Sequence, residues 1–201
     1  MPSKSLTCTP LRPVASKVIR GWNETAARDH FVQFYRTDEY LVDCLASYFA
    51  EGIFAGESAV VIATADHARA LQVRLLSKGI DVNSELRRRQ LVWLDADDFL
   101  ARIVHAGQLK PGEFHRLISD VLRSFPAGRP VRCFGELVAL LWMRGDRAVA
   151  LELEQQWNVL GRQFSFRLFC AYPSACMETK GGDSGLEAIC RTHSHLVSLP
   201  V

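Results

Sequence analysis

Residues Ala59-Val-Val-Ile-Ala-Thr64 form an unbroken run without a charge. A short run rich in β-branched side chains predicts a strand that is buried on both faces of a sheet. Asp66 follows at once and is placed to cap a helix, and Gly79 is placed to end that helix. Between them apolar residues recur at helical spacing, at Leu71, Leu75 and Leu76. The stretch therefore predicts a buried strand followed by an amphipathic helix.

The same pattern recurs on both sides of this stretch. Further β-rich runs lie at residues 30–35, 91–94, 130–134 and 166–172, with helical periodicity between them. Strands that alternate with helices are typical of βαβ units, in which the strands are parallel and the helices cover both faces of the sheet. The sequence therefore predicts a three-layer α/β fold with a mainly parallel sheet of about five strands.

The periodic region defines one domain. Residues 1–27 contain Pro2, Pro10 and Pro13 and lack sustained periodicity, so we predict a flexible or strap-like N-terminal arm there. Residues 28–196 are expected to form a single domain, and residues 197–201 a short tail.

The composition excludes several classes of protein. Hydrophobic residues make up 48% of the 201 residues and charged residues 23%, which rules out general disorder. The net charge of +2 provides no basic field for direct binding of nucleic acid or an anionic membrane. The longest apolar runs have about seven residues, whereas a transmembrane helix needs about 20. Because the N-terminal residues also lack an apolar signal region, we predict a cytoplasmic protein.

The order of elements resembles the start of a RecA/KaiC-type ATPase core. Such a core binds ATP through a phosphate loop, but the dipeptide Gly-Lys of that motif does not occur in this chain. Asp38 and Glu39 instead put two carboxylates at a predicted helix N-terminus, where they repel phosphate. We therefore expect a RecA/KaiC-like fold without a Walker A motif, and no ATP as cofactor.

Strings spread over residues 28–196 resemble the MEDS domain, the sensory domain named from methanogens, methylotrophs and the dichloromethane-responsive regulator DcmR. The strings are His30-Phe-Val-Gln-Phe-Tyr35, Phe49-Ala-Glu-Gly52 with Gly56-Glu57, Phe134-Gly-Glu-Leu137 with Ala139-Leu-Leu141, Leu153-Glu-Gln-Gln-Trp-Asn158, Leu168-Phe-Cys-Ala-Tyr-Pro173 and Ile189-Cys-Arg-Thr-His-Ser-His195. Their order and spacing, more than any single string, carry the resemblance.

The resemblance implies sensing rather than catalysis. It implies a small, hydrocarbon-like effector and a signalling partner such as a histidine kinase or a transcription regulator. Because the residues after 196 are too few for an output module, we expect the signal to pass to a separate partner or through homo-oligomerisation.

The candidate effector site combines the resemblance with a rule of parallel sheets. Ligands bind such sheets at the carboxyl ends of the strands, so we expect a pocket at that edge. The candidate residues are His30, Tyr35, Glu136, Trp157, Asn158, Cys170 and Tyr172. Structural interpretations also exist: His30 as a hydrogen-bonded histidine at a sheet edge, the aromatic residues as core, the cysteine as buried filler and Glu136 as a helix cap.

The tail Cys190-x-x-His193-x-His195 is the candidate metal site. Thiolate and imidazole suit zinc, copper or iron, but three ligands fall short of the four in a closed zinc site, which Cys176 or His30 could complete. Neither G-x-S-x-G nor H-E-x-x-H occurs, and we predict no enzymatic activity. Two alternatives remain: a degenerate ATPase-fold scaffold without a ligand, and a metal- or thiol-dependent sensor or enzyme that uses Cys170 or this tail.

Overall fold

The computed structural model of the chain describes residues 17–19, 21–177 and 182–197. Its strands are β1 (Lys17–Ile19), β2 (His30–Tyr35), β3 (Ser58–Ala63), β4 (Leu91–Asp95), β5 (Val104–His105), β6 (Gln108–Leu109), β7 (Val131–Gly135), β8 (Arg167–Pro173) and β9 (His195–Val197). Its helices are α1 (Asp38–Phe54), α2 (Ala65–Ser77), α3 (Val82–Arg87), α4 (Ala96–Ile103), α5 (Pro111–Arg123), α6 (Leu137–Met143), α7 (Arg147–Gln163) and α8 (Gly182–Thr192), with 3₁₀ turns at Trp22–Glu24 and Ser174–Met177.

The main sheet has seven strands in the order β1-β9-β2-β8-β7-β3-β4, and every neighbouring pair is parallel. The five predicted strands are confirmed as β2, β3, β4, β7 and β8. The sheet gains β1 and β9 at one edge, each of three residues. A separate two-stranded antiparallel ribbon joins β5 to β6.

Helices cover both faces of the sheet, so the predicted three-layer α/β fold is confirmed. The apolar residues of α1, α2 and α3 pack on one face, in a core that includes Phe31, Val61 and Phe169. The residues of α4 to α8 pack on the other face, in a core that includes Val60 and Cys170. Every residue of β3 is buried, as expected for a central strand between two helical layers.

The helix signals around α2 are confirmed in part, and α1 has a cap of its own. The Thr37 hydroxyl accepts a hydrogen bond from the backbone N–H of Tyr40 and caps α1. Gly79 follows α2 with a φ of +86°, in the left-handed region that favours glycine. The predicted capping role of Asp66 is wrong, because Thr64 occupies the N-cap position of α2 and Asp66 pairs with Arg69 in the first turn.

Part of the predicted N-terminal arm packs onto the domain. Residues 17–19 form β1, and Trp22 is buried against Tyr48, Phe31 and Phe169. Residues 1–16, and residues 198–201 of the predicted tail, lie outside the described residues. No helix in the described part of the chain is long and apolar enough to cross a membrane.

Candidate functional site

Four buried side chains from distant parts of the sequence meet beneath α7, and we call them the His–Glu–Cys cluster. They are His30 at the start of β2, Cys170 in the middle of β8, Glu154 on α7 and His193 between α8 and β9. One potential metal-ligand atom from each lies within 4.8 Å of the others, and all four residues are buried. Among the described residues this is the one group of at least three such side chains that could hold a metal ion.

The parallel register brings His30 and Cys170 together. His30 pairs with Leu168, and Val32 pairs with Cys170. Because side chains alternate between the faces of a strand, His30 and Cys170 therefore occupy neighbouring positions on the same face. His30 Nε2 lies 3.2 Å from Cys170 Sγ.

Glu154 reaches the cluster from an otherwise apolar stripe of α7. The stripe consists of Ala150, Leu153, Trp157 and Leu160, all buried. Glu154 lies within it and is 0% exposed. A carboxylate at such a position is stable only when other groups bond to it or neutralise it.

The partners of Glu154 surround both of its carboxylate oxygens. The Tyr172 hydroxyl donates to Oε1 at 2.6 Å, and His193 Nε2 lies 3.4 Å from the same oxygen. His30 Nε2 lies 3.2 Å from Oε2, and the Cys170 thiol donates to Oε2 at 3.7 Å. Glu154 is therefore the centre of the cluster.

Backbone and amide oxygens fix the orientation of both imidazoles. His30 Nδ1 lies 3.0 Å from Asn158 Oδ1, while the Asn158 amide donates to the carbonyl of Thr192 at 2.8 Å. His193 Nδ1 lies 2.7 Å from the carbonyl oxygen of Ile189. Since these oxygens only accept, both Nδ1 atoms donate, and both Nε2 atoms face Glu154.

Burial and charge shift the pKa values in the cluster in opposite directions. Burial lowers the pKa of His30, and nearby His193 lowers it further, against the opposing effect of Glu154. Burial alone raises the pKa of Glu154, but the two histidines together outweigh it and hold that pKa well below its usual range. Burial, and then the Glu154 charge, raise the pKa of Cys170 and of Tyr172 well above their usual values. At neutral pH the cluster thus contains a carboxylate, a thiol and a phenol.

The predicted effector residues do not form one pocket at the carboxyl edge, and their predicted location is corrected here. His30, Asn158, Cys170 and Tyr172 gather around Glu154, and His30 lies at the opposite, amino edge of the sheet. The predicted location was wrong because His30 is the first residue of its strand, whereas the carboxyl-edge rule concerns residues at the end of a strand.

The other three predicted residues are placed differently. Trp157 is 1% exposed, packs edge-on against Phe114 and lies beside the cluster as core. Tyr35 is buried in the core on the opposite face of the sheet. Glu136 lies at the carboxyl edge, where its carboxylate accepts the backbone N–H of Thr64 at 2.8 Å and lies 2.7 Å from His67 Nδ1. It occupies the N-cap position of α6, but its side chain bonds to the start of α2 and makes no capping bond to α6.

The three residues of the candidate metal tail also separate. His193 joins the His–Glu–Cys cluster together with His30, one of the two residues expected to complete a site. Cys190 lies on α8 outside the cluster, and His195 Nε2 in β9 lies 3.1 Å from Asp29 Oδ2. A helix end, a loop and a strand direct the three side chains apart. The side chain of Cys176 lies outside the described residues.

Sequence reasoning missed Glu154, although it lies within one of the strings that resemble the MEDS domain. The available signal was a single carboxylate inside the helical repeat of Ala150, Leu153 and Trp157. A charge on the apolar face of a helix indicates a buried partner or a site.

A cleft at the amino edge of the sheet reaches the cluster. It has a volume of about 460 Å³, and its lining includes His30, Trp157, Asn158, Gly161, Phe166 and Leu168. A larger groove of about 620 Å³ lies along residues 122–131 and 164–167, but no candidate residue lines it. The smaller cleft is therefore the opening associated with the candidate site.

Comparisons with known proteins identify the family. A family model described as the methanogen/methylotroph, DcmR sensory domain (MEDS) matches residues 29–194. The chain belongs to the MEDS family. Among solved structures, this MEDS domain is similar to a KaiC-like protein from the hyperthermophilic archaeon Pyrococcus horikoshii OT3, with a TM-score of 0.58 and 18% sequence identity. The match covers 94% of this chain and 82% of that chain. No curated protein matches.

These findings confirm the predicted MEDS resemblance and the RecA/KaiC-like fold. At 18% identity the structural likeness concerns the fold alone. Membership of a sensory-domain family gives the protein a role in signal sensing.

Proposed function

We propose that this MEDS protein is a cytoplasmic, non-enzymatic sensor that binds a small effector in the amino-edge cleft and regulates a signalling partner. The carrying observation is that His30 belongs both to the cleft and to the His–Glu–Cys cluster, with Asn158 beside it. Both line the cleft, and they bond to each other beside Glu154. An effector in the cleft would thus touch the surface of the buried polar cluster.

The lining of the cleft combines apolar side chains with polar and charged ones. Trp157, Phe166 and Leu168 form the apolar part of the lining. The polar part consists of His30 and Asn158 together with the charged residues Arg28, Asp29 and Arg162. Small-molecule sites combine mainly apolar walls with a few placed polar groups. The lining here is more polar than that, and it suits a compact effector in which a short hydrocarbon part carries a polar substituent.

A signal can leave the cleft through Asn158. Its side-chain amide holds the carbonyl of Thr192, the last residue of α8, and Ser194 bonds to the backbone of His30 on the other side. An effector that favours one arrangement of Asn158 would shift the population of α8 and β9 arrangements. We propose that a partner such as a histidine kinase or a transcription regulator recognises that change.

The loop that would hold ATP in a RecA-type core supports a role other than catalysis. Residues 36 and 37 link β2 to α1, and Asp38 and Glu39 lie in the first turn of α1; all four residues are exposed, and none is glycine. Two carboxylates at a helix N-terminus oppose the binding of a phosphate there.

Filling the cleft tests the proposal. Gly161 lies on α7 and lines the cleft, and no atom lies within 4 Å of a Cβ added there, so Gly161→Leu adds bulk without a clash. Gly112 on α5 is equally open and lies outside the cleft lining, so Gly112→Leu is the matched control. The measurements are native mass spectrometry of the purified chain and thermal shifts with a panel of short alcohols, aldehydes and halogenated alkanes.

We expect a retained compound, or a stabilising member of the panel, with the wild type and with Gly112→Leu. Gly161→Leu should lose at least about tenfold in affinity because the added side chain occupies the cleft. Equal affinity in all three proteins would overturn this location of the site. No retained compound and no shift with any member of the panel would favour the ligand-free scaffold instead.

A further inference from the structure

We propose that His30, Glu154, Cys170 and His193 bind one zinc ion in the interior of the domain. The inference goes beyond effector sensing and does not depend on it, because it concerns the buried side of His30 and not the cleft. Nitrogen and sulfur ligands favour zinc over calcium or magnesium, which bind oxygen.

Four of the six residue pairs lie near the ligand separations of a tetrahedral zinc ion, and the ligand atoms of all four residues lie within 4.8 Å of one another. Zinc binds nitrogen or oxygen at about 2.0–2.2 Å and sulfur at about 2.3 Å, so neighbouring ligand atoms lie about 3.3–3.8 Å apart. His30 Nε2 lies 3.2 Å from both Cys170 Sγ and Glu154 Oε2, and Cys170 Sγ lies 3.7 Å from Glu154 Oε2. His193 Nε2 lies 3.4 Å from Glu154 Oε1. Small side-chain movements would suffice to enclose an ion.

The orientation of the two imidazoles is that of metal ligands. A histidine that binds a metal through one ring nitrogen commonly donates from the other to a carbonyl or carboxylate oxygen. His193 donates from Nδ1 to the Ile189 carbonyl, and His30 donates from Nδ1 to Asn158. With Nε2 deprotonated, as metal binding requires, both rings present a lone pair beside the carboxylate of Glu154.

His193 Nε2 supplies an independent indication of a missing partner. The side chain of His193 is 0% exposed, and its Nε2 has no hydrogen-bond partner among the described residues. A buried ring nitrogen that is aimed at a carboxylate and a thiol, without a hydrogen bond, has the surroundings of a ligand.

The charges also balance with zinc in place. One carboxylate, one thiolate and two neutral imidazoles neutralise a divalent cation, so the interior carries no net charge. The Cys170 proton passes to solvent when the metal binds. Tyr172 remains a donor to the carboxylate of Glu154 and orients it.

Four protein ligands without exposure to solvent make a closed site, which is typical of structural zinc. The ion would join β2, α7 and β8 to the segment between α8 and β9. Zinc would therefore fix the position of the same C-terminal segment that contacts Asn158.

Two cysteines on adjacent strands provide a matched test. Cys170 belongs to the cluster, whereas Cys133 on β7 is equally buried on the same face and lies outside it. The full chain, Cys170→Ser and Cys133→Ser are purified without chelator, and metal content is measured by inductively coupled plasma mass spectrometry. Each protein is then stripped with a chelator and titrated with Co²⁺ while its visible and near-ultraviolet spectra are recorded.

We expect about one zinc per chain in the wild type and in Cys133→Ser, and Co²⁺ spectra of a tetrahedral site with a thiolate-to-cobalt band. Cys170→Ser should lose that band and bind metal at least about tenfold more weakly. A metal-free wild type that gives no tetrahedral Co²⁺ spectrum would overturn the site, as would unchanged binding by Cys170→Ser. Circular dichroism of the stripped proteins shows that each variant is folded before its spectrum is compared.

Gly161→Leu separates this inference from the proposed function. It should retain zinc at wild-type stoichiometry while it loses the effector, because Gly161 lines the cleft and lies outside the cluster. If the protein binds zinc but no effector, the metal site is supported and only the sensor proposal is overturned.

Discussion

Two buried carboxylates lie on opposite faces of the sheet and are neutralised in different ways. Glu57, on the face covered by α1, contacts the guanidinium groups of Arg132 and Arg167. Glu154, on the face covered by α7, contacts two imidazoles, a thiol and a phenol. The first site contains cations that never lose their charge, and the second contains groups that can also bind a metal.

The Glu57 site is a structural ion-pair network. Arg132 Nε donates to Glu57 at 2.5 Å, and its Nη1 donates to the carbonyl of Tyr48 at 2.7 Å, with the guanidinium over the Tyr48 ring. Burial alone raises the pKa of Glu57, but the two arginines outweigh it and the pKa is lowered. Arginine nitrogens have no lone pair for a metal, so this network stabilises the fold and offers no ligand set.

The largest effect is expected from removing the charge of Glu57. Glu57→Gln leaves the buried guanidinium of Arg132 and the mostly buried guanidinium of Arg167 without a counter-charge, and we expect the free energy of unfolding to fall by about 3 kcal/mol. Urea unfolding followed by circular dichroism measures it. The folded fraction should still bind zinc like the wild type, and a loss below about 0.5 kcal/mol would show that the network contributes little.

Removal of zinc should produce the next largest effect, and only on the Glu154 face. At a free zinc concentration about 100 times the dissociation constant, binding stabilises the folded state by about 2.7 kcal/mol. Thermal melts with and without EDTA should therefore differ for the wild type and for Cys133→Ser but coincide for Cys170→Ser. An EDTA effect of equal size in Cys170→Ser would place the metal elsewhere.

A smaller effect is expected from Gly52→Ala in α1. A Cβ at this position would lie 2.6 Å from Cδ and Nε of Arg132, which Glu57 and Tyr48 hold in place. The clash should lower the free energy of unfolding by about 1–2 kcal/mol, although alanine favours a helix. Gly112→Ala in α5 meets no atom within 4 Å and serves as the control, with a neutral or stabilising effect in the same urea titration.

The smallest effect concerns a third carboxylate–histidine contact, at the carboxyl edge. The hydrogen bond with Glu136, with help from the charges of Glu136 and Asp38, raises the pKa of His67 above 6.5 against the opposing effect of burial. The added stability is therefore complete below pH 6.5 and is lost as the pH rises through the raised pKa.

His67→Asn tests this pH dependence. The difference in free energy of unfolding from the wild type should be largest at acid pH, within about 1 kcal/mol, and should shrink on the alkaline side. Urea titrations across this range measure it, with His105→Asn at an exposed position as the control. A difference that grows with pH would contradict the assignment.

The sequence was sufficient for the parts of the fold that local patterns determine. The runs of β2, β3, β4, β7 and β8 were visible because each has at least five residues and is rich in apolar side chains. Strands β1 and β9 have three residues each and no pattern of their own, so only their pairing in the sheet defines them. The cap of α2 was misplaced because Thr64 is held by Glu136, a contact between residues far apart in the sequence.

Local sequence patterns likewise predicted only part of the candidate site. His30, Asn158, Cys170 and Tyr172 came from strings that resemble the MEDS family, and the structure brings them together. Neither the role of Glu154 nor its contact with His193 follows from any local string, because α7 and the segment after α8 meet only in the folded domain. The rule that ligands bind at the carboxyl edge could not indicate a site at the amino end of β2.

The position of β9 between β1 and β2 affects the order in which the strands can pair while the ribosome synthesises the chain. In the described sheet, β1 pairs with β9 alone. Although β1 is synthesised before the other strands of the sheet, it can therefore join the sheet only after β9 has been synthesised. The nascent chain can complete the pairing of β2, β8, β7, β3 and β4 earlier, with one edge of β2 still open. His193 emerges just ahead of β9, and the closing of the sheet and the completion of the His–Glu–Cys cluster therefore belong to the same late step of biosynthesis.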